Sequence, residues 1–461
     1  MRKMRKEKDI LGEIEVPADA YYGINTQRAI RNFRISGRTM PTEFIVALAQ
    51  VKKACVKANM DSEKLNAELG ETLLKVIDEI LIEDKLLDQF PVDVFQTGSG
   101  TQTNMNMNEV LANRANEILG HPMGLKTPVH PNNHVNMGQS SNDVIPTTMH
   151  LAALASMAKE LFPSIMKLIQ VLDKKIEQFQ GIVKVGRTHL MDAVPIPLAT
   201  EFSVYRKQFI SAVTILQNVR TDLAIIPIGG TALGTGLNTD EGFAESVVKH
   251  LSKITHIPFE VNPVKAEGIA SHSVFVRLSG ALRVLSLSLM KMANDIRWMA
   301  SGPRSGIGEL LLPENEPGSS IMPGKINPTQ SEALIQVCMQ VIGYDTTISL
   351  AEGYGSVLDL NVAKPVIIVN LLDALNILAN GIRSFTVNCL EGLEANVPAI
   401  ESQLERSLML VTRLSPVIGY DKAGEIAKKA HESGKTIREI IIELGLEIEN
   451  LDELLDPRKM V

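Results

Sequence analysis

Four prolines and two glycines crowded into sixteen residues dictate where this chain cannot be regular. Residues 313–334 read PENEPGSSIMPGKINPTQSEAL, and Pro313, Pro317, Gly318, Pro323, Gly324 and Pro328 all fall in the first sixteen. Neither a helix nor a strand accommodates that density of breakers, so the stretch is a loop. It ends abruptly. Asn327 before Pro328 reads as an N-cap and first helical residue, with Thr329 and Glu332 as a capping box in an alternative frame. Ala333, Leu334, Val337, Cys338, Val341 and Ile342 then follow helical spacing. A helix N-terminus offers unpaired N–H groups and partial positive charge, Lys325 adds a full charge, and Ser319 and Ser320 add hydroxyls. That set suits a small dianion. An ordinary interhelical loop is the plainer alternative. A phosphate-binding P-loop fits badly: the glycine-to-lysine spacing is one residue too long, and Ile326 stands where Ser or Thr should hold magnesium.

The rest of the chain reads as helices around such interruptions. Two helices are expected within 41–88, and another over NEVLANRANEIL. From Leu151 to Phe179 apolar residues step by three or four, with Pro163 placed to kink the helix. Further long patterns cover about 197–225, 272–300, the stretch after Pro328, and Pro365 to about Phe385. Leu278 to Met292 is apolar on nearly every face. Helices of that kind must be buried on all sides, so several copies of the chain are expected to pack their helices together. After about 388 the helices shorten, with Gly434 as a C-cap and Thr436 and Glu439 as a capping box. Residues 1–45 read as turn-rich, and strand signal is sparse throughout.

Composition narrows the class. The 461 residues carry a formal net charge of −7 and only 4% aromatic side chains. Neither a basic surplus nor stacking platforms favour nucleic acid. Cys55, Cys338 and Cys389 are too scattered for a disulfide framework or a metal spacing, and read as buried, reduced thiols of a cytoplasmic protein. No stretch reaches about 18 uninterrupted apolar residues, so no membrane span is expected. The N-terminus lacks the apolar region of a signal peptide.

Besides the proline-rich loop, four small polar interruptions stand out: TGSGTQTN at 97–104, QSSND at 139–143, GRTHLMD at 186–192 and GGTALGTGLN at 229–238. Ser, Thr and Asn offer hydrogen bonds to a carboxylate at lower desolvation cost than another buried charge. Converging on Lys325, such loops would make a carboxylate cage. Taken singly, each reads as a turn or cap sooner than as a site; Ser140, Ser141, Asn142 or Asp143 could cap the following helix. His189 is the candidate for proton work, with Glu332 as a partner to orient and charge it; a structural histidine is the plainer reading. His130 and His134 are four apart but lack a third ligand, so metal is not expected.

GSSIMPGKINPTQSEAL resembles the signature loop of the fumarase/aspartase superfamily. VPADAYYG, TGSGTQTNMNMNEV, VHPNNHVN, QSSND, GRTHLMDAVP, GGTALGTGLN, SGPR and LSPVIGYDKA resemble further landmarks of class II fumarases, in order, over almost the whole chain. His189, where aspartases commonly have glutamine, favours the fumarase branch, whereas AYYGINTQRA is somewhat aspartase-like. The resemblance implies a mainly α chain of three domains, 1–139, 140–387 and 388–461, forming a homotetramer around a shared helical bundle, with active sites shared between subunits. It implies fumarate hydration to malate with no metal or organic cofactor. Ser319 would be the base, and His189, charged through Glu332, would position water. Ser99, Thr101, Ser140, Ser141, Asn142, Thr188, Ser320, Lys325 and Asn327 would hold the dicarboxylate. A second dicarboxylate site would surround His130 and Asn132, with Asn133 where fumarases often have Asp. An aspartate ammonia-lyase, or a catalytically silent binding protein on the same scaffold, remain the alternatives.

Overall fold

In a computed structural model that describes residues 3–461, the chain is mainly helical. It divides into two compact units. The first runs through Leu161 and adds Thr214–Arg283 and Gln340–Ile377; the second combines Phe162–Val213, Val284–Met339 and Leu378–Val461.

The helices form where the apolar period demands them. In the first unit Thr42–Asp61 buries Phe44, Leu48, Val51 and Cys55 along one face, and Ala67–Leu81 buries Leu73, Val76, Ile77 and Ile80. Thr42–Asp61 packs against Ala67–Leu81, Ser141–Ser156 and Phe243–Thr255. The long patterns become Leu198–Leu223, Ser273–Met299, Thr329–Gly355 and Lys364–Phe385. In the second unit, the C-terminal helices Val397–Glu405, Tyr420–Ser433 and Ile437–Glu443 appear as expected. Leu414, Ile426, Ile440 and Ile441 belong to a core cluster of their own there. Gly434 adopts the left-handed C-cap at φ 71°, and the Thr436–Glu439 capping box is formed. Cys55, Cys338 and Cys389 are free and buried.

Three sequence expectations are corrected. Residues 1–45 are not merely turns: Met4–Asp9 pairs antiparallel with Gly12–Pro17, and Ile24–Asn32 is helical. The hairpin is built from charged residues, such as the Lys6–Glu13 pair, which leave no apolar alternation to read. The GRTHLMD stretch is a β-hairpin tip between Val183–Thr188 and Met191–Pro197. The helical pattern across Pro163 is not one kinked helix. Ser141–Ser156 gives way to a π turn at Met157–Leu161 just before the proline, and Phe162–Gln178 resumes the α-helix; the proline lacks an N–H for the ordinary ladder. Two helices, Ser273–Met299 and Lys364–Leu390, are long and apolar enough by composition alone to cross a membrane, although interrupted by charges. Their apolar windows are 44% and 61% buried within the chain, the pattern of core helices that still present apolar surface.

The start of Ile24–Asn32 has no capping side chain of its own. Glu109, buried on the Thr101–Ile118 helix, replaces it by accepting the N–H groups of Gly23, Asn25 and Thr26 at 2.8–3.1 Å. Burial raises its pKa, while hydrogen bonds from Thr26 and these backbone N–H groups oppose the shift. Glu109→Ala should therefore strand three donors and cost about 3 kcal/mol or more. A thermal melt should show the loss, and an unchanged transition would remove Glu109 from this role.

Candidate active site

The first unit brings three of the polar interruptions together. The Thr101–Ile118 helix starts at Gly100, whose φ of 74° has no side-chain cap beside it. The Ser141–Ser156 helix starts at Ser140. A hydroxyl chain links these two N-termini: Ser99 Oγ lies 2.7 Å from Thr101 Oγ1, and Thr101 Oγ1 lies 2.8 Å from Ser141 Oγ. Asn142 Nδ2 donates to the carbonyl of Ala232 at 2.9 Å, drawing in the 229–238 loop. Two helix N-termini, each with unspent N–H groups, thus meet at a cluster of hydroxyls, and that arrangement suits an anion. The Ser99 loop is held by its backbone. Lys364 N donates to Gly98 O at 3.0 Å, and a Cβ at Gly98 would lie 1.5 Å from Val362 O.

Ser140 does what a cap does. Its Oγ accepts the N–H of Asn142 at 3.2 Å, and Asp143 Oδ1 accepts the N–H of Ser140 at 2.9 Å. The second oxygen of Asp143 accepts the N–H groups of Gly229 and Thr231 at 3.0 and 2.9 Å. Burial pushes the Asp143 carboxyl up to about 6, opposed by these backbone donors and by the nearby Lys52 ammonium. Below this turn lies a polar network that sequence reasoning missed. Lys52, fully buried, donates to Asn136 Oδ1 at 3.0 Å and Gln139 Oε1 at 2.8 Å. Asn104 and Asn108 donate to the same Asn136 oxygen, each at 3.1 Å. Burial lowers Lys52 to about 7, partly offset by the neighbouring Cys55 and Asp143. The available signal was the TNMNMNEV run, which places asparagines at i, i+2 and i+4 of a helix where apolar residues were due.

His130 sits at the start of a π turn at Pro131–Val135. Its Nδ1 accepts the N–H groups of Asn132 and Asn133, which puts the neutral ring's proton on Nε2, and its backbone N–H donates to His134 Nδ1 at 2.8 Å. Burial lowers the pKa of both histidines. Asn132 and Asn133 are exposed.

The second unit carries the other candidates on two loops. The proline-rich loop is closed at its base, where Gly318 N donates to Lys325 O at 2.8 Å. A Cβ at Gly318 would come within 2.2 Å of that oxygen, so only glycine permits the closure. Ser319 Oγ accepts the N–H groups of Ile321 and Met322 at 3.2 and 3.0 Å. Ser320, Ile321, Met322 and Lys325 are exposed. The expected caps of the following helix do not form. The helix begins at Thr329; the Asn327 amide donates instead to Gly318 O, and the Thr329 hydroxyl donates to Glu316 Oε2 at 2.9 Å. The loop closes on itself more strongly than it caps the helix.

Thr188 and His189 stand at the exposed tip of the second-unit hairpin. His189 and Leu190 have φ of 58° and 62°, the two-residue turn that suits the right-handed twist of paired strands. The hairpin stem rests on buried charge. Arg187 donates to Glu309 Oε1 at 2.7 Å and to Gln403 Oε1 at 2.9 Å. Lys184 hydrogen-bonds Glu201 Oε1 at 3.1 Å, and its ammonium lies 3.1 Å from Glu309 Oε2 in an ion-pair contact. Among the described residues, neither His189 nor Glu332 has a side-chain partner within the chain, so the two are not paired there. No group of three or more His, Cys, Asp or Glu among the described residues could hold a metal.

Comparison with known proteins adds an independent line. The family model described as Lyase matches residues 12–343, and that described as Fumarase C C-terminus matches residues 410–461. A mitochondrial fumarate hydratase of Rhizopus oryzae is 49% identical over 464 residues, covering 100% of this chain and 93% of that protein. A class II fumarate hydratase of Nitrosomonas europaea is 49% identical over 461 residues, covering 100% and 99%. The crystal structure of a recombinant class II fumarase from Schistosoma mansoni matches with a TM-score of 0.96 at 39% identity, covering 99% of each chain.

Proposed function

The chain belongs to the Lyase family, within its class II fumarate hydratases, and from that premise we propose that it adds water reversibly across fumarate to give (S)-malate. In the dehydration direction a base removes a proton from the carbon beside one carboxylate, and charge gathers on that carboxylate as an aci-carboxylate. Donors already aimed at the developing charge are the main catalytic requirement. The observation that carries the reading is the environment of Ser319. A serine hydroxyl is a poor base, but its Oγ here receives two backbone N–H groups, which favour the alkoxide over the neutral hydroxyl. The exposed Lys325 on the same closed loop supplies positive charge for the substrate.

In this reading Ser99, Thr101, Ser140, Ser141 and Asn142 hold one carboxylate, with Ser140 acting through the turn that it caps. Ser320, Lys325, Asn327 and Thr188 hold the rest of the dicarboxylate, and His189 exchanges protons with the added hydroxyl. Glu332 charges His189 across a subunit boundary. His130, Asn132 and Asn133 form the second dicarboxylate site. The proposed assembly is a homotetramer whose sites draw loops from several subunits. Exposed apolar residues on the long helices support it, among them Leu287 at 53%, Met339 at 57% and Leu350 at 55%.

Fumarate absorbs in the ultraviolet, so one assay decides. Malate should yield fumarate, and fumarate should be consumed, without ammonia. Faster fumarate release from aspartate than from malate would replace the hydratase by an ammonia-lyase. Inactivity on both would leave a silent homologue.

A further inference from the structure

Lys52 lies outside every loop assigned above, yet its ammonium sits where two of them meet. It projects from the middle of Thr42–Asp61, is 0% exposed, and hydrogen-bonds no carboxylate. Both of its acceptors are amide oxygens. Asn136 Oδ1 also receives Asn104 and Asn108, from the helix whose first residue is Thr101. Gln139 directly precedes Ser140, and its carbonyl accepts Asn136 Nδ2 at 3.0 Å. Thr42–Asp61 itself reaches the segment a second time, through Asn59 Nδ2 to Met137 O at 3.1 Å.

Burying a cation without a directly bonded anion is costly, and methionine of similar volume would avoid the cost. The bonds identify what the ammonium provides instead. It ties Asn136, the residue that Asn104 and Asn108 of the Thr101 helix also bond, to Gln139 at the foot of the turn bearing Ser140, Ser141 and Asn142, and so sets the spacing between two groups of donors. We propose that Lys52 is a positioning residue for the hydratase reaction, holding Asn136 and Gln139 so that the Ser140–Asn142 turn meets the substrate dicarboxylate beside Thr101. The inference rests on the proposed function.

If the turn drifts, substrate affinity should suffer before turnover, because Ser140–Asn142 bind rather than react. Lys52→Met is expected to raise KM for fumarate and the inhibition constant of succinate about tenfold, with kcat per folded site changed by less than about threefold. Gln139→Met, which leaves Lys52 bonded to Asn136, should raise KM in the same direction. The double variant should be less than multiplicative, because both changes break one link. A purely structural role would lower stability or the folded fraction while leaving KM of the folded enzyme unchanged. An unchanged KM in Lys52→Met, or multiplicative effects in the double variant, would overturn the proposal. Should Lys52→Met not fold, a wild-type KM in Gln139→Met overturns it, and a raised one supports it. The wild-type protein is assayed first: absence of hydratase activity there defeats the functional reading itself, a result distinct from an active wild type with insensitive variants.

Discussion

Ser319→Ala is expected to lower kcat for fumarate hydration by at least about a hundredfold, the scale of losing a group that acts in the transition state. The substitution removes the oxygen that accepts the Ile321 and Met322 N–H groups, so the loop loses an internal tie as well as the proposed base. The loop's basal closure, Gly318 N to Lys325 O, does not use the side chain and should persist. The folded chain should therefore keep its melting transition and its size in solution while turnover collapses. Those three measurements separate a lost base from a damaged fold. Turnover within a few fold of wild type would move the base elsewhere.

The second large effect is expected at Glu309, which never reaches the surface. Its carboxylate faces Arg187 on one oxygen and Lys184 on the other, and both cations belong to the strand that leads to His189. Removing one partner of a buried charge group strands the others, which typically costs 3–5 kcal/mol. Glu309→Ala should thus shift unfolding to markedly lower denaturant. Because Arg187 stands two residues from His189, it should also loosen the hairpin tip and reduce kcat. Glu309→Gln, which still accepts a hydrogen bond from Arg187, should fall between the two. A variant as stable as wild type would mean that Lys184 and Arg187 are satisfied by Glu201 and Gln403 alone.

Much of this molecule was legible residue by residue. The helices at Thr42–Asp61, Ala67–Leu81, Ser273–Met299 and Lys364–Phe385 follow from apolar spacing, because a helix must bury one stripe wherever it packs. The cap at Gly434 and the box at Thr436 and Glu439 are local chemistry and were legible for the same reason. The polar segments were visible as breaks in the periodicity, and the family resemblance gave them roles. The hairpins were not visible. Lys6 and Glu13 at one end of the chain, and Arg187 and Asp192 further on, carry strand geometry on charged residues that offer no alternation.

The sequence alone determined most of the long helices, which loops carry hydroxyls, and which serine and lysine share the proline- and glycine-rich loop, since each depends on neighbours within a few residues. Tertiary structure alone decided that Ser99, Thr101 and Ser141 form one chain of hydroxyls, and that Asp143 spends its second oxygen on Gly229 and Thr231. It also decided that Lys52 is buried against amides rather than solvated. The decisive contacts among them join groups 40 or more residues apart that compete with water for the same hydrogen bonds. Burial settles that competition, and burial is a property of the packed chain.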